Sequence, residues 1–429
     1  MQKTLSNNKL LVPLYFWLTY SLSTIMIFEF GPLQFPVENK LYLYLYLFGA
    51  HVSIVLGYYS GFNKFKGLRQ GKLNSKLINK KALNIVSTIV LCGIIFAFIR
   101  DYLSGLSITL AMEDSFTARE LYTQTRGGGV LGYIGTILNI LVLPYLAIAT
   151  INFKRLNNFS KSVLIFLIFR IVFDSVIGGS RHGLMMLIII LFFSFLALIY
   201  TNQIKISIKR FFIIALCSLM VFLYYSSFIS ENRQVTPIDD YVEYMSNNSR
   251  YEFDEKNIFI PKFSGDLKLI NSGILTGYFY FTHAYHGLSN ALNLPFKGTT
   301  LFFGHSDFSI RNLARIFDDE VLNYSYHYRL INEGLGAKTL WITAYAWIAS
   351  DVTFIGSLFL LYFFGSLFSK SWIIVLTNPT MISSSLFAWM AYFFFQINIT
   401  FVPSDLGTFV SFWGVIILYK FKIKSKSYE

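Results

Sequence analysis

The sequence predicts an all-α polytopic membrane protein with about ten transmembrane helices and one large outer loop. Three observations carry that prediction. Apolar stretches of about 20 residues recur along the chain, each long enough to cross roughly 30 Å of hydrocarbon. Only 14% of the residues are charged while 54% are hydrophobic, and the mean hydropathy is +0.52, too little polarity to keep a soluble chain of 429 residues dispersed. The intervening loops also divide by charge: several are purely basic, and nearly all the acidic residues fall in the others.

The first apolar stretch, 11–29, follows Lys3 and Lys9. It lacks a small-x-small cleavage site and runs into Glu29 and Pro32, so a retained helix is expected rather than a signal peptide. Further spans are expected at 41–61, 83–101, 131–152, 162–179, 183–201, 211–229, 352–369, 380–398 and 405–421. The basic loops carry Lys64, Lys66, Arg69, Lys72, Lys76, Lys80 and Lys81, then Lys154, Arg155 and Lys161, then Lys205, Lys209 and Arg210. Lys420, at the end of the last span, and Lys422, Lys424 and Lys426 make the tail basic. The positive-inside rule makes all of these cytoplasmic, and an even number of spans then leaves both termini on that side. The outward segments are 30–40, 102–130, 230–351 and 399–404.

One stretch is ambiguous. Residues 269–296 contain no Asp, Glu, Lys or Arg, yet a crossing there would carry Asp318, Asp319 and Glu320 to the cytoplasm and Lys370 outside. An amphipathic or re-entrant helix on the outer leaflet is expected instead, which raises the count to eleven or twelve if such segments are included. The chain thus divides into an N-terminal bundle of about seven spans (1–229), an outer loop with amphipathic helices (230–351), and C-terminal spans with a basic tail (352–429).

The net charge of +13 is not a nucleic-acid signal, because most of the excess lies in cytoplasmic loops that orient helices and meet anionic headgroups. Cys92 and Cys217 both fall inside apolar spans, so no structural disulfide is expected. The sequence has no P-loop, no dinucleotide fingerprint, no nucleophile elbow and no dense acidic metal motif, and no cofactor is expected. His283 and His286 have i, i+3 spacing but no further ligands at metal-binding distance in sequence.

The residues that could carry chemistry are ionised groups in unusual places. Arg170 and Asp174 are one helical turn apart inside the expected fifth span, as a structural pair or a functional one. Gly178-Gly179-Ser180-Arg181-His182-Gly183 joins two apolar spans with almost no loop and presents Arg181 at the membrane surface, where it either snorkels or meets a lipid-linked phosphate. The outward segments favour Arg over Lys: Arg119, Arg126 (before Gly127-Gly128-Gly129), Arg233, Arg250, Arg311, Arg315 and Arg329. Guanidinium groups bind phosphate through a planar donor fork, so the set together suggests an anionic ligand on that side. His305 with Asp307, and His327 beside Arg329, are acid–base or sugar-binding candidates.

This layout resembles the O-antigen polymerase (Wzy-type) family of oligosaccharide repeat-unit polymerases. The likeness rests on the many spans with one large late outer loop and on Gly179-Ser180-Arg181-His182-Gly183, similar to the family's Gly-x-Arg-Gly-like stretch. It rests also on Thr339 through Gly356, similar to the Thr…Asp-Phe-Gly-x-x-Gly segment at the start of a late span. Asp351 and Gly356 match, whereas Val352 and Thr353 replace Phe-Gly. The resemblance implies a C-type glycosyltransferase-like architecture in a bacterial cytoplasmic (inner) membrane. It implies a substrate of undecaprenyl-pyrophosphate-linked oligosaccharide, transferred without a metal on the outer face. It also implies a chain-length regulator and a flippase as partners. The motif matches point to Arg181 for the pyrophosphate and Asp351 as base or orienter; residue type alone adds Arg311, Arg315, Arg126 and Arg233 to the anion site and His327 as the other candidate base. The O-antigen ligase shares this architecture, and a lipid-linked oligosaccharide flippase is the transporter alternative.

Overall fold

A computed structural model describes residues 7–66, 80–107, 109–110, 117–118, 120–122, 129–178, 181–233, 251–265, 269–300, 302–335, 342–377 and 379–426. The protein is all-α, 79% helical. In chain order the main helices are α1 (Asn7–Phe30), α2 (Lys40–Lys66), α3 (Lys80–Leu103), α4 (Gly129–Asn139), α5 (Val142–Ile151), α6 (Asn158–Ile177), α7 (Arg181–Tyr200) and α8 (Ile208–Arg233). They continue with α9 (Leu269–Asn293), α10 (Asp307–Ile316), α11 (Tyr326–Asn332), α12 (Ala344–Thr377), α13 (Met381–Gln396) and α14 (Leu406–Lys426).

Seven helices among the described residues are long and apolar enough to cross a membrane: Asn8–Phe30, Lys40–Asn63, Lys80–Leu103, Ile134–Ile151, Arg181–Tyr200, Ile208–Ile229 and Ala344–Thr377. The chain is therefore a multi-pass membrane protein. The three other expected spans are helical but differ from these seven. In α6 the charges of Lys161, Arg170 and Asp174 interrupt the apolar run, and α13 and the apolar part of α14, Leu406–Phe421, are shorter. The span Ile134–Ile151 is broken near Leu141, so that Pro144 falls in the first turn of α5, where its missing N–H costs no helical hydrogen bond. Segment 269–296 forms the 25-residue helix α9, whose Tyr, His and Asn content keeps it out of the set of seven.

The chain folds into two compact units. The first comprises Met1–Lys72, Asp239–Ile373 and Met390–Phe409; the second comprises Leu73–Ile238, Ile374–Trp389 and Val410–Glu429.

In the first unit, α2 and α12 meet backbone to backbone. A Cβ on Gly57 would lie 2.0 Å from the Tyr362 carbonyl oxygen, one on Gly61 2.6 Å from that of Ser366, and one on Gly365 2.4 Å from that of Ile54. Small residues at helix contacts are the usual route to tight association where lipid supplies no hydrophobic drive. The start of α1 joins the same assembly: Trp372 Nε1 donates to the Lys9 carbonyl at 3.0 Å and Tyr58 OH to the Leu10 carbonyl at 2.7 Å.

A buried polar network binds the rest. His51 Nδ1 donates to the Leu47 carbonyl at 2.7 Å, so in the neutral ring Nε2 accepts from the Ser21 hydroxyl at 2.8 Å. Asn398 Nδ2 donates to Ser21 Oγ at 3.0 Å and Thr24 Oγ1 at 3.1 Å, while Tyr345 OH donates to Asn398 Oδ1 at 3.2 Å. Thr24, whose proton goes to the Ser21 carbonyl at 2.8 Å, accepts from Tyr285 OH of α9 at 2.9 Å. Outside this core, a two-residue antiparallel pair sets Leu33 against Phe253 and Gln34 against Glu252, and Leu33, Phe35, Tyr251 and Leu275 pack beneath it.

In the second unit, α3 lies against α4 and α6, and α7 against α5, α6 and α8. Asn157 caps α6 by accepting the Ser160 N–H at 2.8 Å. Ser87 Oγ, Ser160 Oγ and Tyr145 OH then form a closed buried cluster, with 2.8 Å between the two serines and 3.0 Å from Ser87 to Tyr145.

The close α2–α12 crossing leaves no room for a side chain. Gly57→Ala should push the helices apart and cost about 1–3 kcal/mol, read as a lower thermal midpoint of the detergent-solubilised protein. Substituting Gly277, which has open space around it, should leave the midpoint nearly unchanged.

Candidate functional site

The first unit gathers chemistry at the beginning of α12. This helix runs from Ala344 to Thr377 but breaks at Thr353, where φ is 68° and ψ is 166°. That backbone region is essentially reserved for glycine, and a β-branched residue held there stores strain. The Thr353 hydroxyl accepts the Gly356 N–H at 3.2 Å, an N-cap for the helix as it restarts.

Two residues before the break, Asp351 is 4% exposed. Its carboxylate accepts the Gly304 N–H at 2.8 Å, the His305 N–H at 3.1 Å and His305 Nδ1 at 2.5 Å, together with the Thr300 hydroxyl. A Cβ on Gly304 would lie 2.2 Å from Thr300 Oγ1 and 3.1 Å from Asp351 Oδ1, so only glycine allows this approach. Thr299 Oγ1 adds a bond to the Asp351 carbonyl at 2.9 Å. Four donors fill the lone pairs of one carboxylate. Asp351 therefore anchors the loop that precedes α10 and fixes the His305 ring, which lies between Phe401 and Phe409.

The anchored loop leads into α10. Ser306 stands at its N-cap and Asp307 in its first turn, where a carboxylate suits the helix dipole. The Phe308 N–H donates to the Ser404 carbonyl at 2.9 Å, pinning the start of the helix. Ser309, Ile310 and Ala314 face inward, and Arg311 and Arg315, one turn apart, are exposed. Arg311 is held by one nitrogen. Its Nε lies 3.0 Å from Asp307 Oδ1 and 2.7 Å from Tyr328 OH, and Tyr328 OH donates to Asp307 Oδ1 at 2.6 Å. Among the described residues its two Nη groups have no hydrogen-bond partner, and the side chain is 61% exposed. Burial raises the Tyr328 hydroxyl pKa, and the bond to Asp307 raises it further, so the phenol stays protonated and keeps donating.

His327 sits behind this group on α11. Its ring stacks on Trp347 with centroids 4.3 Å apart and meets the Tyr328 ring edge-on at 5.5 Å. Burial lowers its pKa to about 4 against the opposing pull of Asp307, so the imidazole is neutral. Its Nδ1 is buried with no hydrogen-bond partner among the described residues. Arg329, two residues on, turns elsewhere: Nη1 donates to the Pro295 carbonyl at 2.6 Å, and the guanidinium lies over the Tyr326 ring. His283 and His286 pack around Phe35, and among the described residues no group of three metal-ligating side chains exists.

The second unit holds Arg170, Asp174 and Arg181. Asp101 is the centre of an ionic lock: Arg100 Nη2 reaches its Oδ1 at 2.7 Å, and Arg170 Nη2 bonds to its Oδ2. Arg170 also lies 2.5 Å from Asp174 Oδ1, and its guanidinium stands 4.5 Å above the Phe98 ring. The expected i, i+4 pair is therefore half of a four-residue cluster joining α3 to α6. Arg181 opens α7 three residues after Gly178, the C-cap of α6, and its Nη2 donates to the Ser226 carbonyl of α8 at 2.9 Å. Gly178 is there for contact, since a Cβ would lie 2.8 Å from the Tyr122 ring. Arg126, Gly179 and Ser180 lie outside the described residues, as does the side chain of Arg233, the last residue of α8.

The structure thus brings Arg311 together with Asp307, Tyr328 and His327, and holds Asp351 in a cage that leads to them. Sequence reasoning paired Asp307 with His305 but missed Tyr328 as the link to Arg311. It also missed Ser21, His51 and Asn398, which have no motif and meet only in space. Fold and site together define a multi-pass helical membrane protein whose first unit carries a held arginine fork beside a buried, neutral histidine. Comparison with family models, with curated proteins and with solved structures gives no match for this chain.

Thr353→Gly should relieve strain worth about 1–3 kcal/mol while losing a few tenths from the cap, raising the thermal midpoint by several degrees. Thr353→Val keeps the strained backbone and loses the cap, and should lower the midpoint. His327 supplies a second expectation. An unfolded histidine binds its proton near pH 6.5 and the folded one only near 4, so stability falls as pH drops between those values, by up to roughly 3 kcal/mol. His327→Gln should flatten that part of a stability-against-pH profile.

Proposed function

We propose that this protein is a membrane glycosyltransferase that polymerises lipid-pyrophosphate-linked oligosaccharide units, as its resemblance to O-antigen polymerases suggests. The observation that carries the reading is the Arg311 fork, gripped through Nε by Asp307 and Tyr328 and open at both Nη groups, with Arg315 one turn away. A fork fixed in this way suits a phosphate or pyrophosphate oxygen pair. The backbone at Thr353 lends support, because it takes up a conformation natural to the glycine of the Asp-Phe-Gly pattern although the residue is threonine.

In this reaction a hydroxyl oxygen of the next lipid-linked unit attacks the anomeric carbon of the growing chain. The bond from that carbon to pyrophosphate breaks, and the electron pair leaves with the pyrophosphate oxygen. Arg311 and Arg315 stabilise the departing charge, so no metal is required. His327 is already neutral and accepts the hydroxyl proton as the new bond forms. Asp351, with its lone pairs filled, is a positioning residue rather than the base. The membrane concerned is the bacterial cytoplasmic membrane, and the partners are the lipid-linked oligosaccharide, a flippase and a chain-length regulator.

The test is the surface polysaccharide of a deletion strain, run as a gel ladder. Wild type should restore a ladder from a single capped unit; Arg311→Ala and Arg181→Ala should not, and Arg311→Lys, which keeps charge without the fork, should restore only a faint one. Polymer accumulating on its lipid carrier in the deletion strain would instead mean a ligase. Single units trapped on the cytoplasmic side would mean a flippase, and either outcome removes the catalytic reading.

A further inference from the structure

Three arginines among the described residues are more than nine-tenths buried: Arg100 is 4% exposed, Arg170 3% and Arg329 8%. A buried guanidinium is tolerated when an anion compensates it. Arg100 and Arg170 meet that condition through Asp101. Arg329 does not. Its Nη1 donates to the Pro295 carbonyl at 2.6 Å and the guanidinium lies over the Tyr326 ring, 5.7 Å from the centroid, but no carboxylate among the described residues pairs with it. Asp318 accepts the Glu320 N–H at 3.1 Å and Glu38 accepts from Asn293 Nδ2 at 3.2 Å, while Asp319, Glu320 and Glu333 form no ion pair with it. Nε and Nη2 of Arg329 have no hydrogen-bond partner among the described residues, yet neither is sealed from solvent. The segment that holds Nη1 is exposed from Pro295 to Lys297, and Lys297 adds a second cation to it. On α11, Tyr328 is turned to Arg311 and Arg329 to Pro295, so this guanidinium is no part of the Arg311 fork.

We propose that Arg329 is a separate binding site for a terminal phosphate group, which supplies at its Nε–Nη2 edge the counter-charge that the chain does not. Two oxygens of one phosphate match that planar pair of donors. Terminal phosphate suits the site better than a carboxylate, because it carries more than one negative charge near neutral pH and so offsets Lys297 as well as Arg329. The Pro295 carbonyl has a part in this too. By holding Nη1 it fixes the plane of the guanidinium before any ligand arrives, which lowers the entropy lost on binding. The site does not depend on the glycosyl-transfer reading, which uses other residues.

The experiment uses the full chain in a maltoside detergent, carrying Arg311→Ala and Arg315→Ala to remove the exposed guanidinium groups of α10. Thermal midpoints are read by tryptophan fluorescence in inorganic phosphate, acetate and chloride of equal ionic strength. Phosphate at about 100 times its dissociation constant should raise the midpoint by about 3 °C over chloride. Adding Arg329→Gln should abolish that rise without lowering the midpoint in chloride, since it removes an uncompensated charge. A purely structural arginine predicts the opposite, an equal drop in all three salts. The proposal is overturned if phosphate gives no rise, or if the rise survives Arg329→Gln. An equal rise in acetate would overturn the choice of phosphate. An Arg329-dependent rise on adding phosphatidylglycerol in chloride would replace terminal phosphate by a lipid headgroup. Should Arg329→Gln fail to fold, Arg329→Lys keeps the charge without the fork and should lose most of the rise. None of these measurements needs turnover, so the polymerase reading stands or falls separately on the gel ladder.

Discussion

A carboxylate can be buried only if protein groups replace the water it gives up. Asp351 meets that condition with four donors from one short loop, and much of the first unit follows from it. The cage needs Gly304 because any side chain there would strike Thr300. Asp351 sits two residues before Thr353, where α12 breaks and restarts. Because the caged loop runs into α10, the position of Arg311 is inherited from a residue that never touches it. A weakened cage would be felt first as a misplaced arginine and only second as a lost helix.

The same demand is met differently in the second unit. There Asp101 serves two guanidinium groups, and Arg170 serves two carboxylates while lying over an aromatic ring. The cluster has two positive and two negative groups, and breaking one partner would leave a buried charge uncompensated, which is far costlier than never having placed the pair. Charges committed to one another in this way hold α3 to α6. That commitment fits a structural lock better than a translocation path, where a group must exchange partners as cargo passes. The α6 helix accordingly carries more charge than its neighbours without needing to be a site itself.

Helices were the legible part of this sequence. Apolar runs bounded by basic loops marked every one of the main membrane-length helices, because length and hydropathy are local properties. Among the described residues seven of the ten expected spans are long and apolar enough to cross, and the other three fall short for local reasons as well: Arg170 and Asp174 interrupt one run, and two others are short. The site was legible only in part. Arg311 and Asp307 stood out as residue types in an outer loop, but the bond that joins them to Tyr328 spans two helices and leaves no periodic trace. Thr353 was hidden for the opposite reason. Its identity argues against the very conformation that the surrounding cage imposes, so propensity pointed away from the turn that tertiary contacts enforce. The Ser21, His51 and Asn398 network is the extreme case: three ordinary residues, distant in sequence, each unremarkable alone.

The two arginines on α10 show what holding adds. Arg315 is exposed and free to sample many rotamers, so binding an anion would cost it the entropy of choosing one. Arg311 has already made that choice, because Asp307 and Tyr328 grip Nε and leave the outer edge of the guanidinium facing outward. The arrangement also limits its own strength. Asp307 cancels part of the positive charge, so the fork offers geometry at the expense of raw attraction, favouring a ligand with two well-spaced oxygens over a diffuse anion. On the proposed reading, a held fork beside an exposed one would divide the labour: Arg311 would select the shape of the anion, and Arg315 would supply the charge that Asp307 takes away.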